Sequence, residues 1–154
     1  MGWISLALRK QALKSQINEL NYEDIQLSRK KRAVHRKLSA EQASYNADKR
    51  AELKDIKEVY LKVRGARPDP KSEEYQDWYY EYQCAQEDYQ SQKQDIEEYY
   101  DDLNEEAETE AQDEEDAIDD EVTRVEAQRD AMNAELQALT DSIKTQIEAS
   151  AIKF

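Results

Sequence analysis

Apolar residues recur along the first part of the chain at intervals of seven. Five residues keep this interval without a break: Leu6, Leu13, Leu20, Leu27 and Val34. Ile17 stands three residues before Leu20, at the second position of the same apolar stripe. A seven-residue apolar repeat puts one stripe of an α-helix against a second helix, as in a coiled coil. The repeat therefore predicts a long helix that cannot stay single in water.

A second seam runs through the later part of the chain. Its aliphatic members step by three and four residues, with one interval of seven before Met132: Ile118, Val122, Val125, Met132, Leu136 and Leu139. The same steps appear earlier with mainly aromatic residues: Tyr75, Trp78, Tyr82, Ala85 and Tyr89. Between the two seams, residues 45–63 follow the heptad pattern only after a phase shift, which is called a stutter. The two seams are predicted to pack against each other.

The only strong helix breaker is GARPDPKS at residues 65–72, which holds one glycine and both prolines. Proline forces the residue before it out of the helical region, and so short a turn makes neighbouring helices antiparallel. We therefore predict an all-α fold, a long antiparallel two-helix hairpin that forms one domain over residues 1–154. Helix 1 is expected at about 3–64, the turn at 65–71 and helix 2 at about 72–152, with Ser72 as N-cap.

Charge divides the chain at this turn. Residues 1–64 contain 15 Lys and Arg against 8 Asp and Glu, whereas residues 65–154 contain 7 against 28. The basic run RKKRAVHRK at 29–37 and the acidic run at 105–121 are the extremes. With the turn centred near residue 68, residue i faces about residue 136 − i, which places 29–37 opposite 99–107. Pairing of the two runs would set the register of the hairpin.

The most aliphatic stretches stand at the two ends, which an antiparallel hairpin brings to one pole. Residues left there without an intrachain partner form the expected assembly interface: Trp3, Ile4, Leu8, Ile143, Ile147, Ile152 and Phe154. The arrangement resembles, in architecture, the subunits of flagellar and type III secretion filaments. That resemblance implies a repeating filament with the terminal helices inside and the hairpin tip outside.

Three functions remain open from these patterns. The first is a non-enzymatic structural protein that assembles with copies of itself, through its terminal helices, into a filament, tube or multi-copy ring. The second is a coiled-coil adaptor, scaffold or assembly chaperone, for example of a phage or secretion apparatus, that binds another protein at the same pole. The third, nucleic-acid binding through residues 29–37, is disfavoured by a net charge of −14.

Candidate chemistry is sparse. The chain has one histidine, His35, and one cysteine, Cys84, which exclude an intrachain disulfide and a four-cysteine zinc site. No glycine-rich phosphate loop is present, and the acidic run lacks the glycine of a calcium loop. We expect no enzyme activity, no catalytic residue, no cofactor and no metal.

No apolar run is long enough for a membrane span, and the opening MGWISLALRK does not fit a secretory signal because its charges follow the apolar patch. The expected location is cytoplasmic, or outside by a non-classical route. Seven tyrosines cluster between residues 75 and 100. They are interpreted either as rings lying along the helix surface or as a lateral subunit contact.

Overall fold

The computed structural model describes residues 2–152, with side chains as far as residue 151. Helix α1 spans Trp3–Gly65 and helix α2 spans Glu74–Ile152, and the two helices pack against each other. No strand occurs among these residues. The predicted all-α, two-helix hairpin is confirmed.

The turn between the helices, residues 66–73, is held by Asp69. Its carbonyl accepts hydrogen bonds from the backbone N–H of Ser72 at 2.9 Å and from the Ser72 hydroxyl at 2.8 Å. Its carboxylate accepts the backbone N–H of Lys71 at 3.0 Å. Asp69 thus accepts the backbone N–H groups of Lys71 and Ser72, which lie just before the first turn of α2. The Ser72 hydroxyl thus bonds back to the turn, and α2 begins at Glu74, two residues later than expected.

The chain divides into two compact units. The terminal unit joins the part of α1 that ends at Val34 to the part of α2 that begins at Asp113, and the turn unit comprises His35–Gln112. The core of the terminal unit is aliphatic, with Leu13 and Val125 fully buried and Leu27 only 2% exposed. Burying a side chain of this size contributes about 1.5–3 kcal/mol, so this seam is the main source of packing energy in the unit.

The core of the turn unit is different. Its buried residues are Tyr100, Ala107 and Ala111. On α1 of this unit, positions 41, 45, 49 and 53 are half-buried and four residues apart, and the half-buried positions 56, 60 and 63 then restore the alternation of three and four. Positions 38 and 42 are half-buried as well. A run of four-residue steps is the geometry of a stutter, in which the coiled coil is locally unwound.

The register predicted from a turn centred near residue 68 is wrong, although the basic run does meet the acidic run at Lys31 and Asp119. Lys31 binds Asp119 in the terminal unit, with Nζ and Oδ1 2.8 Å apart, whereas the sequence placed residue 105 opposite it. In the turn unit, Lys49 lies 4.0 Å from Asp101 where residue 87 was expected. Both differences are fourteen residues, whereas the pair of Arg9 and Glu135 differs from the prediction by eight residues and that of Asp24 and Arg129 by seventeen. In each of these pairs the α2 residue lies further along the chain than predicted, so the helices do not pair about residue 68.

Candidate association surfaces

The twelve residues predicted to form the intrachain seam all lie in the terminal unit, on inward positions of α1 and α2. Six are buried: Leu13, Leu20, Leu27, Val34, Ile118 and Val125. Six are half-buried: Leu6, Ile17, Val122, Met132, Leu136 and Leu139. Because these side chains already pack between α1 and α2, a partner of this unit has to contact a different face.

The residues predicted as the assembly interface divide by exposure. Trp3, Ile4, Leu8 and Ile147 are exposed large apolar side chains, and Ile143 is half-buried. The side chain of Ile152 and all of Phe154 lie outside the described residues. The terminal unit therefore presents several large apolar groups to solvent near the start of α1 and the end of α2. Clusters of such groups mark association sites.

Two further exposed apolar residues of the terminal unit were missed by sequence reasoning. Tyr22 and Ile25 are both more than half exposed, on the part of α1 that follows Leu8. Both stand two residues from a buried leucine of the heptad row, Leu20 or Leu27. That spacing was available in the sequence as a signal, because two residues turn a helix by about 200° and so point to the face opposite the seam.

Aromatic rings pack the turn unit near its loop. The Trp78 ring stacks on Tyr82 with centroids 5.2 Å apart, and Tyr60 stacks on Tyr89 at 5.1 Å. The Trp78 indole N–H donates to the Val63 carbonyl at 2.7 Å, which ties α2 to the last turns of α1. A hydrogen bond of 3.2 Å joins the hydroxyls of Tyr60 and Tyr82 and raises the pKa of Tyr60. These rings hold the fold of the unit, whereas Tyr79, Tyr80 and Tyr99 are exposed.

An open groove of about 370 Å³ lies beside this aromatic cluster within the turn unit. Its apolar wall is made by residues of both helices: Ile56, Val59, Tyr60, Val63, Tyr80, Ala85 and Tyr89. Glu81, Asp88 and Gln92 also line it, together with Cys84. A hydrogen bond to the Cys84 thiol raises the pKa of Tyr80, so that phenol remains neutral. The groove thus offers apolar contact area with acidic and amide side chains beside it.

Tyr100 is the one buried tyrosine among the described residues. Its hydroxyl donates to Oε1 of Glu52 at 2.8 Å, across the two helices of the turn unit. Burial of the phenol, together with this hydrogen bond and the charge of Glu52, raises the pKa of Tyr100 to about 12. The phenol is therefore neutral at every physiological pH, and it acts as a fixed cross-helix donor.

Charged side chains of the terminal unit form cross-helix pairs at the edges of the seam. Arg9 binds Glu135 at 3.0 Å, and Lys31 binds Asp119. The hydrogen bond to Asp119 and its charge raise the pKa of Lys31. Because these side chains are more than a third exposed, each pair contributes only about 0–1 kcal/mol. They align the helices more than they stabilise them.

The basic run at 29–37 is used only in part for such pairing. Arg29, Lys30, Arg32 and Arg36 are exposed, whereas Lys31 turns to α2. Elsewhere in the chain, residues 94–123 of α2 include 16 acidic residues and no basic one. A phosphate backbone that approached the exposed arginines would therefore meet a strongly acidic protein, which disfavours nucleic-acid binding.

Two other kinds of site are absent from the described residues. No group of three or more His, Cys, Asp or Glu side chains is arranged there to hold a metal ion. No helix in that part of the chain has the length and apolar character required to cross a membrane.

Comparisons with protein families, with curated proteins and with solved structures found nothing that matches this chain.

Proposed function

We propose that this protein is a non-enzymatic coiled-coil subunit that assembles with copies of itself, through the terminal unit, into a filament, tube or multi-copy ring. The observation that supports it is the set of large apolar side chains left exposed there after the seam has closed: Trp3, Ile4, Leu8 and Ile147. The seam buries the core of the unit, and these four side chains keep about half or more of their surface exposed beside it.

Contact of these apolar side chains with water is unfavourable. An apolar side chain of this size gains about 1.5–3 kcal/mol when it is fully buried, so covering several per subunit offsets a substantial loss of translational freedom on association. Contacts that repeat along an assembly add this gain at every subunit. The net charge of −14 opposes association of copies as a whole, because like charges repel, so the apolar contacts have to outweigh this repulsion.

A second candidate, a coiled-coil adaptor or scaffold for a different protein, draws support from the groove of the turn unit. Val59 and Tyr80 are exposed at its wall, and Leu61 is exposed nearby on α1. An amphipathic segment laid in an apolar groove is a common mode of peptide recognition. In this case the partner would bind the turn unit and the protein alone would stay small.

Sedimentation velocity over a hundredfold range of concentration separates the two candidates. Self-assembly predicts a sedimentation coefficient that rises with concentration, and a variant with Trp3→Ser, Ile4→Ser and Ile147→Ser that remains small. The matched control carries Val59→Ser, Leu61→Ser and Tyr80→Ser and should sediment as the unaltered protein does. Circular dichroism checks that both variants stay helical. Loss of assembly in the control with retention in the terminal variant would contradict the proposal and assign self-assembly to the groove, whereas a sedimentation coefficient that stays constant with concentration would favour the adaptor.

A further inference from the structure

Helix α1 carries a second heptad stripe in the terminal unit, outside the seam. Its members alternate steps of four and three residues: Ile4, Leu8, Gln11, Ser15, Asn18, Tyr22 and Ile25. None of the seven is charged, although 38% of the chain is. The next residue in this series is Arg29, where the uncharged stripe ends. We call these seven residues the outer stripe.

The outer stripe lies on the face of α1 that turns away from α2. Each of its members stands two residues before or after a seam leucine or Ile17, and two residues correspond to about 200° of helical rotation. Accordingly, Leu8 is 69% and Tyr22 64% exposed, while Leu13 between them is fully buried. Gln11, Ser15 and Asn18 are exposed as well. The whole stripe is therefore accessible to another molecule.

Steps of four and three residues are what a helix presents to another helix, because they keep the side chains on one seam. The charges of the residues that flank the outer stripe indicate which helix this partner is. Only two flanking positions are charged: Lys14, which precedes Ser15, and Glu19, which follows Asn18. Both are exposed, and neither forms an ion pair with another described residue.

We propose that the outer stripe packs against the outer stripe of a second copy, with the two α1 helices parallel and Lys14 of each copy paired with Glu19 of the other. In a parallel coiled coil, the flanking residue before one seam position faces the flanking residue five positions later on the partner, and these pairs set orientation. Lys14 and Glu19 have that separation and opposite charge. The contact rests on the proposed self-assembly and names one interface of it.

The antiparallel alternative lacks this complementarity. Aligning the two stripes at their common midpoint near Ser15 would bring Lys14 beside Lys14 of the second copy, and like charges disfavour that arrangement. The parallel contact also has a natural limit. Beyond Ile25, the side chains of Arg29, Arg32 and Arg36 would meet their own counterparts, so repulsion confines the contact to three heptads.

Charge exchange tests the parallel pairing in the full-length protein. Lys14→Glu places a second carboxylate opposite Glu19, and Glu19→Lys places two lysines together, so each variant should raise the dissociation constant of the dimer about tenfold in sedimentation equilibrium. An equimolar mixture of the two variants restores opposite-charge pairing between unlike copies and should dimerise more tightly than either variant alone. Circular dichroism should remain unchanged throughout, because both positions are exposed.

Tyr22→Glu provides a further variant that does not depend on the ion pairs. It puts a carboxylate inside the contact and should abolish dimers, whereas Ser28→Glu, on the outer flank, should leave most of them. Dimerisation that survives Tyr22→Glu but is lost in the terminal variant would overturn the outer-stripe contact and leave self-assembly standing. A chain that stays monomeric at every concentration would overturn both. Weakening by the single exchanges without recovery in the mixture would overturn the parallel orientation.

Discussion

The terminal unit and the turn unit are built on the same two helices but close their seams with different chemistry. In the terminal unit, branched aliphatic side chains such as Leu13, Leu27 and Val125 reach complete or nearly complete burial. In the turn unit, stacked rings and small alanines take those positions, and a groove of about 370 Å³ stays open beside Tyr60 and Tyr89. The aliphatic seam reaches complete burial at Leu13 and Val125, whereas the rings of Tyr60 and Tyr89 beside the groove are only half-buried.

This difference shows how a heptad pattern can serve two purposes. Aliphatic residues of similar size interdigitate and fill the space between helices, so folding buries their side chains and leaves little of them for a partner to contact. Tyrosines and Trp78 hold the helices through stacking and through polar tips that find partners, such as the Val63 carbonyl. The aliphatic unit can therefore associate only through faces other than its seam, whereas the aromatic unit keeps part of its seam exposed.

The largest expected effect comes from shortening leucines in the two units. Leu13→Ala should lower the free energy of unfolding by about 2–5 kcal/mol, because it leaves a cavity in a fully packed seam. Leu53→Ala should cost less, since that side chain is only half-buried. Leu8→Ala is the matched control and should stay within about ±0.5 kcal/mol at concentrations where the protein is monomeric. Urea unfolding followed by circular dichroism gives all three values, and a greater cost at Leu53 than at Leu13 would contradict the comparison.

A smaller effect is expected from Trp78→Phe in the turn unit. An aromatic ring remains, but the indole donor to the Val63 carbonyl is lost, and a net hydrogen bond of this kind is worth about 1 kcal/mol. Trp3→Phe serves as control, because the Trp3 side chain is exposed. Denaturant unfolding measures both variants. Equal stability of Trp78→Phe and the unaltered protein would show that stacking alone holds this part of the seam.

The ion pair between Lys31 and Asp119 should show a coupling energy of about 0–1 kcal/mol in a double-mutant cycle to alanine. The control cycle joins Lys31 to Glu105, the position that the turn-centred register would place opposite it. Zero-length carbodiimide crosslinking, mapped by mass spectrometry, checks the same alignment independently. A crosslink from Lys31 to the neighbourhood of Glu105 and none to Asp119 would show that the helices adopt the other register.

A further effect, seen only at alkaline pH, concerns Tyr100. Its pKa is raised to about 12 in the folded chain, above the ordinary value of 10.0, so its contribution to stability is complete below pH 10 and is lost as pH rises towards 12. Tyr100→Phe removes that contribution. The difference in melting temperature between the unaltered protein and the variant should therefore shrink from pH 9 to pH 12. A difference that stays constant over this range would show that the phenol is not held in its neutral form by the fold.

The hairpin was predictable from the sequence because its signals are local. Heptad spacing and a single cluster of glycine and prolines sufficed for two helices, and α2 begins at Glu74, two residues after the expected position. The register was not predictable from the apolar repeat, because a heptad pattern allows more than one alignment of two helices, and the turn centre assumed near residue 68 gave the wrong one. The hydrogen bond from Trp78 to Val63 was also missed, since a side-chain donor and a backbone acceptor leave no spacing signature. Tyr22 and Ile25 were overlooked because polar residues separate them from Leu8 along the outer stripe.

Hydroxyl-radical footprinting at low and high protein concentration tests most directly which unit carries self-association. Exposed aromatic and aliphatic side chains are oxidised in proportion to their accessibility, and both units contain such reporters. Association through the terminal unit predicts that oxidation of Leu8 and Tyr22 falls as concentration rises, while that of Tyr79 and Tyr80 stays constant. Protection of Tyr79 and Tyr80 with unchanged oxidation of Leu8 and Tyr22 would contradict it and assign association to the turn unit.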